Sequence, residues 1–398
     1  MCKIGILFEN RDFEHDVYEL IKAFYPEAEI HTLYENAEAE YDLRFSVERD
    51  NDSYIIKYER TENLSKQETE QKGVISADIL SKENAGCGIQ DAHALRKENK
   101  DNIKYALYQL LVKLTGRNLP WGNLTGIRPA KLAMGMIESG MKNTEAAREM
   151  RERYLVSPQK TALAITIANR EREILKDIDY ENGYSLYIGI PFCPSICLYC
   201  SFSSYPLKVW EKRTDEYVEA LCREVRETAL MMKGRKLDTI YIGGGTPTTL
   251  LPHQIRKLLD TVGEAFGYEG LAEFTVEAGR PDSITREKLM TIREYPVTRI
   301  SVNPQTMNQE TLDIIGRRHT VEQTKEAFRL ARELGYDNIN MDLIVGLPGE
   351  DIHMVERTLE QVRELAPDSI TVHSLAVKRA ARPVSYTHLR AHETLMNL

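Results

Sequence analysis

From residue 185 onward, short apolar runs alternate with amphipathic stretches at near-regular spacing. The runs at 185–190, 239–242, 274–277, 299–303, 338–345 and 369–373 are too short for helices and carry many β-branched residues, so they predict strands. Between them, apolar residues recur at helical spacing in 215–232, 254–266, 284–293, 321–334 and 355–365. Six strands with helices between them imply parallel pairing, because a short turn cannot bring a chain back as a parallel neighbour. A six-stranded open barrel and a doubly wound sheet both satisfy the pattern. Both gather their chemistry at the carboxyl ends of the strands.

Before residue 150 the grain differs. Residues 3–8 read as a strand, and 16–24 as a helix with Val17, Leu20 and Ile21 on one face. Alternation in 41–47 and 54–58 flanks Asp50-Asn-Asp-Ser53, a hairpin signal. The polar stretch 63–72 reads as loop or exposed helix, and helical spacing returns in 103–114 and across 130–174. The organisation expected is an N-terminal α+β accessory domain (1–150), a helical connector (151–182) and an α/β core (183–383). Residues 384–398 continue no periodicity and read as translated sequencing adapter, so native sequence is expected to stop near 383. His388 and His392 stand four apart in that tail and are left out of the fold reasoning.

Composition narrows the class. The 398 residues have room for two or three domains, and 42% hydrophobic with 28% charged is an ordinary globular balance. A net charge of −9 gives no electrostatic footprint for nucleic acid. No apolar run reaches the roughly 18 residues of a membrane span. The start reads as a first strand, not a signal peptide, since Glu9 interrupts it at once. Six cysteines, three of them clustered, argue against a disulfide framework and for a reducing, cytoplasmic setting. Cys2, Cys87 and Cys222 read as spare thiols.

The clustered three are Cys193, Cys197 and Cys200, spaced C-x3-C-x2-C just after the first core strand. With no fourth donor nearby they leave a zinc site incomplete unless a distant residue closes it. They suffice for three corners of a [4Fe-4S] cube with one iron left open. Gly243-Gly-Gly-Thr246 follows the second strand, either as a tight turn or as bare backbone beside an extended ligand. Glu277 ends the third strand, where an unpaired buried carboxylate is costly. Gln305 both donates and accepts, and Arg317 offers a fork to a carboxylate. Alternatively, Arg317, Arg318 and His319 form a solvated helix-end cluster. Asp342 sits within an apolar run, as a structural aspartate or as a holder of hydroxyls, and His373 faces either core or pocket.

The cysteine spacing, with aromatic Tyr199 before the last thiol, resembles the radical S-adenosylmethionine (SAM) superfamily. The segments Tyr187-x3-Pro191-Phe192-Cys193, Gly243–Thr249, Val276-Glu277, Ser301-Val-Asn-Pro-Gln305, Gly316-Arg317 and Asp342-Leu-Ile-x-Gly-Leu-Pro348 resemble its oxygen-independent coproporphyrinogen III oxidase branch. Residues 121–129 and 372–379 look most like the HemZ-type members.

The resemblance implies a partial (β/α)6 radical SAM barrel with a [4Fe-4S] cluster on Cys193, Cys197 and Cys200 and SAM at the fourth iron. It implies SAM contacts from Tyr187, Tyr199, Gly243, Gly244, Gly245, Thr246, Glu277, Gln305, Arg317 and Asp342. The implied reaction converts two propionates of coproporphyrinogen III, or a related tetrapyrrole, to vinyls with a reducing electron donor; Arg280 and Arg318 are candidates for the substrate carboxylates. Phe202 stands where the best-characterised members carry a further cysteine, and Gly189 where they carry histidine. The haem-trafficking chaperones of the family also lack that cysteine, which makes them the alternative function.

Overall fold

The computed structural model describes residues 2–9, 11–34, 41–50, 53–64, 67–78 and 92–375. Cys87, His388, His392 and the whole of 384–398 lie outside the described residues. The chain divides into two compact units, the first ending at Lys176 and the second beginning at Asp177.

In the first unit, β1 (Lys3–Phe8), α1 (Glu14–Phe24) and β2 (Glu29–Leu33) make a parallel crossover. Next come β3 (Leu43–Asp50), β4 (Ser53–Leu64) and β5 (Gln67–Asp78), giving a sheet ordered β2-β1-β3-β4-β5. Ile4, Ile6 and Phe8 of β1 alternate inward and meet Val17, Leu20, Ile21 and Phe24 of α1 in one core. Ile103, Leu107 and Leu111 of α2 (Ala92–Thr115) join that core at helical spacing. The β3–β4 hairpin forms as the sequence predicts, with Asp50 paired to Ser53. Residues 63–64 and 67–72 differ from the expectation: they pair in the far half of the β4–β5 ladder, with Leu64 opposite Gln67. Apart from Leu64 the sequence there is polar, so no period-2 apolar signal marks the strands. The ladder running outward from Ile56 opposite Ile75 carries the pairing instead. Helices α3 (Pro129–Glu138), α4 (Asn143–Glu152) and α5 (Pro158–Leu175) pack a separate small core around Ala133, Met150 and Ala164.

The second unit is a curled, fully parallel half-barrel. It opens with β6 (Gly183–Ile190), the short pair β7 (Phe192–Cys193) and β8 (Tyr205–Pro206), then α6 (Leu207–Trp210) and α7 (Thr214–Met231). There follow β9 (Lys236–Gly244), α8 (Pro252–Phe266), β10 (Glu273–Gly279) and α9 (Arg286–Arg293). The rest is β11 (Arg299–Val302), α10 (Gln309–Ile314), α11 (Val321–Glu333), β12 (Ile339–Val345), α12 (Ile352–Leu365) and β13 (Ser369–Ser374). The sheet order is β13-β12-β11-β10-β9-β6. Each strand therefore lies beside its predecessor, with no reversal of direction across the sheet. A doubly wound sheet needs such a reversal, so the barrel alternative is the one realised.

Helix starts follow local chemistry. Thr285, Thr320 and Asp351 cap α9, α11 and α12 by accepting from Lys288 N, Gln323 N and Met354 N. Val218, Leu221, Cys222 and Val225 of α7 and Leu258, Leu259 and Val262 of α8 cover Ile240 and Ile242 of β9. Each large side chain so buried contributes roughly 1.5–3 kcal/mol. This core fixes the strands whose carboxyl ends carry the polar motifs.

Candidate active site

The carboxyl ends of the core strands surround a cavity of about 610 Å³. The loop from Cys193 to Cys200 crosses one side of it and is pinned at several points. Tyr205 N donates to Pro191 O at 2.8 Å, closing the base of the loop through the β7–β8 pair. Leu198 N donates to Ile315 O at 2.9 Å, and Ser195 Oγ to Gly316 O at 2.7 Å. Arg280, only 3% exposed, donates from Nη1 to both Ser195 O and Ser195 Oγ at 2.8 Å. Its remaining nitrogens fork onto Asp282 at 3.0 and 2.8 Å. Arg280 is thus spent as a clamp on the cysteine loop, not free for a substrate carboxylate as the sequence suggested. Arg318 is exposed and does not line the cavity.

All three thiols line the cavity, and none is in a disulfide. Burial pushes the Cys193 thiol pKa up, while Thr246 Oγ1, donating to its sulfur at 3.6 Å, works the other way. Among the described residues, no three His, Cys, Asp or Glu side chains are arranged to hold a single metal ion. A mononuclear zinc draws its ligands to within about 2.3 Å of one point. A cube takes each thiolate at a separate iron, so three cysteines on one pinned loop suffice to hold it with one iron open.

The glycine triplet is explained by its neighbours. Gly244 has φ +105°, which an L side chain rarely adopts. A Cβ on Gly245 would lie 2.7 Å from the Phe192 carbonyl oxygen and 2.9 Å from that of Ile190. The Gly245 amide donates to that Ile190 oxygen at 2.7 Å, so β9 lies directly against the chain leading into the cysteine loop. A Cβ on Gly243 would lie 2.6 Å from the Tyr241 ring and 3.1 Å from the Glu277 carboxyl carbon. Gly243 alone among the predicted cluster and SAM residues does not line the cavity; its place beside Tyr241 and Glu277 makes room for that pair.

The structure brings the other predicted residues together: Tyr187, Tyr199, Gly244, Gly245, Thr246, Glu277, Gln305, Arg317 and Asp342 all face the cavity. Glu277 accepts from Tyr241 Oη. Burial pushes its pKa up to about 7; the Tyr241 hydrogen bond opposes this and Asp342 adds to it. Asn340 Nδ2 donates to Asp342 Oδ1 at 2.7 Å. Gln305 is a non-glycine residue at φ +70°, a conformation that costs on the order of 1–3 kcal/mol. Two backbone bonds to β12 hold it there, Gln305 N to Asp342 O and Ile344 N to Gln305 O, both 2.9 Å.

Arg317 is buried, not solvated, and donates from Nη1 to the carbonyls of Asn303 and Pro304. Burial opposes its charge, but Tyr199 and Cys197 beside it push its pKa up. Arg317 Nε and Asn303 Oδ1 are buried without a partner, and both residues line the cavity, as a site shaped for a polar ligand requires. His319 is also buried, against the solvated reading, and His373 lines the cavity. Tyr241 and Ser195 went unassigned in the sequence. For Tyr241 a signal existed: β6 and β9 pair Tyr187 with Tyr241, which places their side chains next to each other on one face.

A curled parallel barrel with a three-cysteine loop and a polar, glycine-edged cavity at its strand ends defines a cluster-dependent class of protein. Residues 187–362 match the radical SAM superfamily. The oxygen-independent coproporphyrinogen-III oxidase-like protein HemZ of Bacillus subtilis is 37% identical over 82% of this chain and 67% of its own length. The heme chaperone HemW of the same organism is 39% identical over 49% of this chain and 51% of its own. The oxygen-independent coproporphyrinogen III oxidase of Escherichia coli is 33% identical over 49% of this chain and 42% of its own. The chain therefore spans about two thirds of the first relative and about half or less of the other two. It belongs to the radical SAM superfamily, with HemZ-like and HemN-like relatives. The cofactors that go with this family are a [4Fe-4S] cluster and SAM. No helix among the described residues is long and apolar enough to cross a membrane.

Proposed function

We propose that this protein carries out the oxygen-independent oxidative decarboxylation of two propionates of coproporphyrinogen III to vinyl groups, giving protoporphyrinogen IX. The observation that supports it is the convergence of three thiols, a glycine edge and the polar set Glu277, Gln305, Arg317 and Asp342 on one cavity. Cys193, Cys197 and Cys200 hold the cluster; Glu277 and Asp342 accept from the ammonium and ribose hydroxyls of SAM. Arg317, with Nε unspent, faces the ligand's carboxylate. When bound, cluster and SAM supply a carbon-centred radical that abstracts hydrogen. The chain's part is position: the clamp of Arg280 on Ser195 fixes the thiols, and the ladder to β12 fixes Gln305. Tyr187 and Phe202, 61% and 72% exposed, line the open side of the cavity.

A second reading, a haem-trafficking chaperone with the same cluster and SAM site, is favoured by Phe202 at the position of the extra cysteine. The two separate in one assay. Anaerobically reconstituted protein is given SAM, dithionite and coproporphyrinogen III, and 5′-deoxyadenosine and porphyrinogen products are followed. The expected result is 5′-deoxyadenosine together with protoporphyrinogen IX. Release of 5′-deoxyadenosine without conversion defeats the substrate assignment, and haem binding with neither product favours the chaperone.

A further inference from the structure

We infer that Tyr241 is a positioning residue of the SAM site: its hydroxyl holds the Glu277 carboxyl in place and makes ligand binding there a proton-coupled step. The inference rests on the reading of Glu277 as a SAM contact. Tyr241 stands in β9 in register with Tyr187 of β6, and the two rings stack with centroids 5.7 Å apart and planes 10° apart. Tyr241 Oη donates to Glu277 Oε1, and among the described residues no other side chain donates to that carboxyl. Glycine at 243 is what leaves room for the pair, since a Cβ there would lie 2.6 Å from the ring and press on the carboxyl at 3.1 Å.

The ionisable groups facing Glu277 are Tyr187 on β6, Tyr241 on β9 and Asp342 on β12, while β11 places Ser301 beside it. A carboxyl facing another carboxyl and two phenols has no counter-charge, so without ligand it keeps a proton part of the time. Burial, with Asp342 adding to it, places its pKa at about 7, and the Tyr241 bond restrains that rise. When an ammonium group arrives, the carboxyl O–H bond breaks and its proton passes to solvent. A carboxylate–ammonium contact forms, and no electrons move. Tyr241 stabilises the ionised partner through the same hydrogen bond, with its ring fixed by the stack.

The test is SAM binding to anaerobically reconstituted protein, by calorimetry in buffers of different ionisation enthalpy across neutral pH. The Glu277→Gln variant supplies the baseline for the ligand's own ionisation. Above that baseline, the unsubstituted protein releases a fraction of a proton per SAM near neutral pH, and the release fades as pH rises. Tyr241→Phe keeps the stack and removes the donor. Its SAM affinity falls about tenfold, and the midpoint of proton release moves to higher pH. A residue that merely packed would alter the melting temperature and leave that midpoint where it was. If Glu277→Gln weakens binding while Tyr241→Phe leaves the midpoint unmoved, the role of Tyr241 is wrong and that of Glu277 stands. If Glu277→Gln changes neither affinity nor proton release, the assignment of Glu277 fails and takes the inference with it.

Discussion

His319 lies fully buried after α10 with neither ring nitrogen hydrogen-bonded. Burial pulls its pKa down from 6.5 to about 3, with Arg317 and Arg280 assisting against Asp282. The folded state thus refuses a proton that the unfolded chain accepts, and stability is lost as pH falls from 6.5 towards 3. The loss by the lower end is on the order of 4 kcal/mol. Glu277 has the opposite sign: its raised pKa costs the ligand-free protein stability as pH climbs from 4.5 through 7. Replacement His319→Leu is expected to flatten the acid limb of a series of urea midpoints taken against pH, and an unchanged slope would contradict this. The thiols, Glu277 and Asp342 are legible in the sequence because chemistry-bearing types stand at fixed offsets from strand ends. Tyr241 and His319 are harder to read: a phenol's partner depends on strand register, and a histidine's burial depends on how the loop after α10 folds back.

At the level of elements, the end of β9 and the start of the cysteine loop behave as one construction. Gly245 meets the carbonyl oxygens of Phe192 and Ile190, which are backbone and cannot swing aside as a flexible side chain would. Gly245→Ala should therefore destabilise by about 2–4 kcal/mol and lower the iron retained after anaerobic purification. Gly135→Ala, in α3 where a Cβ meets nothing within 4 Å, is the control and should be neutral or stabilising by up to about 1 kcal/mol. Thermal melts and iron analysis of the two variants check both statements; equal behaviour would remove the argument from crowding. The strand and helix sequence of the barrel is readable from periodicity because its strands bury continuous apolar runs. The strand β2 and the outer half of the β4–β5 hairpin escape it, since Glu29–Leu33 is half-exposed and the sequence of 67–72 is polar throughout.

Across the whole molecule, periodicity leaves barrel and doubly wound sheet equally open, and only the neighbour order of the strands decides between them. That order places the carboxyl ends of six strands around one cavity, where the cysteine loop, the glycine edge and the carboxylates meet. The central claim is that Cys193, Cys197 and Cys200 carry a [4Fe-4S] cluster open to SAM at one iron. Mössbauer and EPR spectra of anaerobically purified protein test it most directly. The account predicts a [4Fe-4S] signature that is perturbed by SAM and lost when all three cysteines become serine. Spectra without a cube, or a cube that survives the triple replacement, would contradict it.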